Sequence, residues 1–193
     1  MTMALGMREL NDLAPWELTE RLGSGERIAV AGSPHDPSSA TNQWLALITM
    51  LTQRAVAHAR TDDGSEVRDY AVAVDVLLDR AEASGAVSHD ECLVRRLNLT
   101  SLLLRLRPTD RTPGVRLLDP EDAARTFLEE AGMPLSEARA SARDWRSRTL
   151  PEIRALRRLK NLLGPVADLR PRLEPGPLGE EVGAWLALRP ELP

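Results

Sequence analysis

Three stretches of this chain repeat their apolar residues every three or four positions, a period that commits a chain to helices packed face against face. Residues 41–60 carry Trp44, Leu47, Ile48, Leu51, Ala55 and Ala59 at that spacing. After the break at Asp62-Asp63-Gly64, Asp63-x-x-Glu66 has the form of a capping box, and Val67, Tyr70, Ala71, Val74, Leu77, Leu78 and Ala81 define a second helix to about Ala83. The third opens at Ser88-His89-Asp90-Glu91: Ser88 can accept from the Glu91 N–H, Glu91 can reach back, and Val87 and Cys92 stand at the two staple positions. It runs to about Leu106 and is apolar over so wide an arc that a central position, or an oligomer interface, is expected of it.

The remaining segments continue the helical theme. Pro15 starts a short helix with Trp16, Leu18 and Leu22 as its apolar residues. Asp119-Pro120-Glu121-Asp122 combines an N-cap, Pro at the first position and acids facing the positive helix end, and predicts a helix to Gly132. A further helix is predicted over 135–148, and Thr149-x-x-Glu152 opens another with Ile153, Leu156, Leu159 and Leu163 as its stripe, ending at Gly164, where prolines begin. A last short helix covers about 178–188. With only 3% aromatic but 42% hydrophobic residues in 193, the core must be built of Leu, Val and Ala, which suits helix packing. The fold expected is an all-α bundle of about six to eight helices, with residues 27–31 and 115–118 as candidates for a minor two-stranded β element. Residues 1–106 form the helical core hairpins and 107–193 a helical subdomain packed on them.

Charge divides the chain. Residues 1–94 hold 7 Arg against 15 acids, a balance of −8, whereas residues 95–193 hold 18 Lys and Arg against 14 acids, +4. Lys160 is the only lysine, a usage that points to the GC-rich genome of a bacterium. The single cysteine, Cys92, can form no internal disulfide, no opening stretch has the make-up of a signal peptide, and no apolar run approaches the ~20 residues a membrane-spanning helix needs; a cytoplasmic protein is expected.

The search for reaction chemistry is negative. His89 and Cys92 are three apart, but the chain has only His35 and His58 besides, and neither His-Glu-x-x-His nor Glu-x-x-His occurs, so no metal and no cofactor is expected. The capping box and staple account for His89 and Cys92 without catalysis. Gly23-Ser24-Gly25 lacks the third glycine of a dinucleotide loop and precedes a strand-like segment rather than a helix, and no phosphate-binding loop precedes Lys160.

One segment is electrostatically biased: residues 139–160 carry eight cations against Asp144 and Glu152. The two helices expected over 119–132 and 135–148 have the outline of a helix-turn-helix, with Arg139, Arg143 and Arg146 on one face of the second. Glu129, Glu130 and Glu137 crowd its turn, and the chain's pI near 5.5 disfavours nucleic acid. Arg139, Arg143, Arg146, Arg154, Arg157 and Arg158 then either line a solvated outer face that pairs with the acidic N-terminal half or form a candidate surface for an anionic partner. The function expected is a non-enzymatic protein–protein interaction or regulatory module, acting on a protein partner or as a homo-oligomer. Two alternatives stand beside it: a helical-bundle enzyme or small-molecule sensor whose internal apolar pocket draws on His58, Tyr70, Arg96 and Asn98, and nucleic-acid binding through the arginine-rich hairpin.

Overall fold

A computed structural model describes residues 7–24, 28, 37–61, 64–106, 119–173 and 175–193. The fold is all-α, and among the described residues every regular element is a helix or a 3-10 turn. The two segments named as a minor β element lie, except for Ile28, outside the described residues, as does Asp63 of the expected capping box. The chain divides into two compact units, Met1–Leu93 and Val94–Pro193. The division falls where the charge changes sign, so one unit is acidic and the other basic.

In the first unit, α1 (Met7–Asp12) and α2 (Pro15–Gly23) precede the long α3 (Pro37–Thr61) and α4 (Gly64–Ala83). Pro15 takes the first position of α2, and Glu17 accepts a hydrogen bond from the Ala14 N–H at 3.0 Å. The short helix expected from Pro15 is present; Leu18 and Leu22 on it are buried, and Trp16 is 59% exposed. Positions two apart on a helix point to nearly opposite sides, so Trp16 and Leu18 cannot share a face. α4 packs on both α2 and α3. All six expected apolar residues of α3 and all seven of α4 are buried, joined by Ala73, and this wider burial is what two neighbouring helices require. The Thr19 hydroxyl donates to the Asp69 carbonyl at 3.1 Å, and the Arg80 guanidinium donates to the carbonyl of Leu22 at the end of α2.

Gly85, at φ +71°, ends α4 in the left-handed region that glycine enters without strain, and the Ala86 N–H closes the turn on the Ala81 carbonyl at 3.1 Å. α5 (His89–Leu106) follows: Ser88 Oγ accepts from the Glu91 N–H at 3.3 Å, and Val87 and Cys92 are both buried as the staple. α5 begins in the first unit and continues into the second. Leu97, Leu99, Thr100, Ser101, Leu103 and Leu104 are buried along it, as its wide apolar arc requires.

The second unit adds α6 (Pro120–Glu130), α7 (Leu135–Arg143), α8 (Leu150–Val166) and α9 (Pro177–Leu188). Asp119 caps α6 by accepting from the Glu121 and Asp122 N–H groups at 2.8 and 3.4 Å. α6, α7 and α8 each pack on α9, and Phe127 meets Trp185 edge to face at 5.9 Å. Two boundaries differ from expectation. The helix predicted over 135–148 stops at Arg143, because the Ser147 hydroxyl bonds both the carbonyl and the carboxylate of Asp144 and turns 145–147 into a 3-10 turn. α8, predicted to end at Gly164, continues through buried Pro165 to Val166. Pro165 provides no N–H for the Asn161 carbonyl four residues back, and the helix runs only one residue beyond it.

At the start of α8, the Glu152 carboxylate accepts from the Thr149 N–H at 2.8 Å and from its hydroxyl at 2.6 Å, with Arg148 3.4 Å away. These hydroxyl and backbone donors, and then the Arg148 charge, hold the Glu152 carboxyl below its usual value of 4.5. A lowered folded-state pKa stabilises the fold above the unfolded value and ceases to do so as pH falls through the folded one. Glu152→Gln is therefore expected to be less stable than wild type at neutral pH and to converge on it well below pH 4.5, as read by thermal melts across that range. A pH-independent difference would overturn the assignment. Thr149→Ala removes the hydroxyl donor and is expected to narrow the same pH-dependent difference.

Candidate functional site

α8 presents two opposed faces. Leu156, Leu159, Leu162, Leu163 and Val166 are buried, whereas Leu150, Arg154, Arg157 and Asn161 are exposed at spacings of four, three and four, forming one stripe along the outer side. Leu150 heads it at 70% exposure, the highest of any large apolar residue described. Arg154 and Arg157 make no hydrogen bond or ion pair among the described residues, and neither does Arg143 at the end of α7.

The other arginines assigned to an anionic partner are engaged. Arg139 donates to the Ala184 carbonyl at 3.5 Å. Arg146 lies over the Trp145 ring at 5.1 Å, in the 3-10 turn rather than on a helical face with Arg139 and Arg143, which corrects that placement. Arg158 is drawn in toward α6, donating to the Glu130 carbonyl and approaching its carboxylate at 3.5 Å. Of the six, Arg143, Arg154 and Arg157 keep their guanidinium groups for something else.

The residues named for a pocket separate into two places. In the first unit His58 Nδ1 pairs with Glu66, and its ring meets Tyr70 at a centroid distance of 5.2 Å. In the second, Asn98 lines an open pocket of about 390 Å³ together with Lys160, Asn161, Gly164 and Pro165 of α8, Asp168 beyond it and Arg189 after α9. Arg96 is not among its lining residues. Lys160 donates to the Leu192 carbonyl at 2.7 Å, and Asp168 accepts from the hydroxyl of buried Ser101. The pocket is polar, unlike the apolar one anticipated, and most of its lining went unnoticed in the sequence. The sole lysine and the Gly-Pro pair four residues beyond it were the visible signals; Gly-Pro reads as the end of a helix, and here it is a wall.

His89 Nδ1 lies 2.7 Å from Glu82, and Cys92 is buried with its Sγ 3.6 Å from the Leu78 carbonyl. Among the described residues no three His, Cys, Asp or Glu side chains converge as metal ligands would; His35 lies outside them. Among the same residues no helix is long and apolar enough to cross a membrane. No protein-family model, curated protein or solved structure matches the chain.

Proposed function

We propose that the protein is a helical interaction module that docks an acidic protein surface on the outer stripe of α8. The observation that carries this reading is the alignment of Leu150, Arg154 and Arg157: an exposed apolar side chain one and two turns from two arginines with no partner among the described residues. Arginine is enriched among the residues that dominate binding energy at protein interfaces, since its guanidinium forks onto carboxylates, and Leu150 adds apolar surface that a partner would cover. The lone cysteine, buried and bonded to a backbone carbonyl, fits a reducing cytoplasm. The role is regulatory or adaptor-like rather than catalytic.

Poly-L-glutamate and a DNA duplex of matched charge, each carrying a fluorescent label, test the reading, with binding followed by the anisotropy of the label. Poly-L-glutamate is expected to bind more tightly than the duplex, to weaken at least about tenfold between about 50 and 200 mM salt, and to lose a similar factor in R154E/R157E. Tighter binding of DNA would transfer the stripe to nucleic acid. No binding of the polypeptide at low salt, or an unchanged affinity in the variant, would remove the proposal.

A further inference from the structure

We propose that the pocket formed by α5, the end of α8 and the turn after α9 binds a small oxyanion, a carboxylate or phosphate carried on a metabolite. Its lining sets two cations, Lys160 and Arg189, against one acid, Asp168, and Asp168 already receives the Ser101 hydroxyl. Lys160 uses one of its three N–H donors on the Leu192 carbonyl, which holds the ammonium in place with donors to spare. The side chains of Arg189, Asn98 and Asn161 make no hydrogen bond or ion pair among the described residues. Two charged donors and two amides thus converge on a polar space with an excess of positive charge, the arrangement that charge-assisted hydrogen bonds to an oxyanion require.

Size and shape narrow the ligand. The open space of about 390 Å³ leaves room beside the anionic group for the rest of a larger molecule, which would meet the amides and the Pro165 ring. A Cβ at Gly164 would stand 3.8 Å from Arg189 Nη2, an ordinary van der Waals distance.

The uniqueness of Lys160 supplies the test. Biosynthetic labelling with ¹³C-lysine leaves all three N–H donors in place and yields the Cε resonance of a single lysine. Titration with inorganic phosphate, with glutarate and with sodium chloride at matched ionic strength is expected to move that resonance saturably with one or both oxyanions and not with chloride. Phosphate and glutarate separate a phosphoryl from a carboxylate ligand. R189Q, on an exposed side chain, is expected to weaken the response about tenfold. R154E/R157E, on the neighbouring turns of α8, should leave the response saturable and weaken it less than R189Q does, which distinguishes this site from the docking stripe. No saturable shift with either oxyanion, or full affinity in R189Q with its fold intact by circular dichroism, would overturn the proposal.

Discussion

Phe127→Ala is expected to lower the free energy of unfolding by about 3–5 kcal/mol, a large part of what a small unit has. Phe127 is the only phenylalanine, is fully buried on α6, and meets Trp185 of α9 edge to face at an interplanar angle of 85°. Truncation removes the ring from an apolar site and leaves a cavity between helices whose other buried residues are mostly Leu, Val and Ala, too short to refill it. The aromatic pair adds about 0.5–1.5 kcal/mol that Phe127→Leu would also forfeit, so the leucine variant should fall between. Urea unfolding read by tryptophan emission measures the change, and a loss below about 1 kcal/mol for the alanine variant would show that the ring does not hold α6 to α9.

Leu77→Ala is expected to cost about 2–5 kcal/mol in the first unit. Leu77 and Leu78 are adjacent and both fully buried, which is only feasible because α4 is covered by α2 and by α3. The cost of the cavity depends on how far the neighbours can collapse, and the alanines buried beside it, Ala73 and Ala81, offer little volume to do so. Leu150→Ala makes the same chemical change at a site 70% exposed and should stay within about 0.5 kcal/mol of wild type. Similar losses for the two substitutions would refute the burial assigned to Leu77.

What was legible beforehand follows a physical line. The stripes of α3 and α4 were readable because burial on a helix imposes a period, and the starts of α5, α6 and α8 because Ser88, Asp119, and Thr149 with Glu152 act within one turn of themselves. The end of α7 was not, because an aspartate can continue a helix or break it, and the hydroxyl of Ser147 decides. Pro165 does not mark the boundary either: a Gly-Pro pair favours a helix end without fixing its last residue, and α8 runs one residue past the ring. The docking stripe was half visible. Arg154 and Arg157 were named from charge, but that Arg158 turns inward to Glu130 depends on where α6 lies. The pocket was least accessible of all, since Asn98, Lys160 and Arg189 meet only through tertiary packing, and no periodicity records that.

The chain's only thiol, Cys92, lies in the first unit and its only lysine, Lys160, in the second. A maleimide or disulfide reagent can reach the sulfur only when the helices around it part, so its rate of modification clocks the opening of one unit. Opening of the acidic unit can therefore be timed in the unmutated molecule.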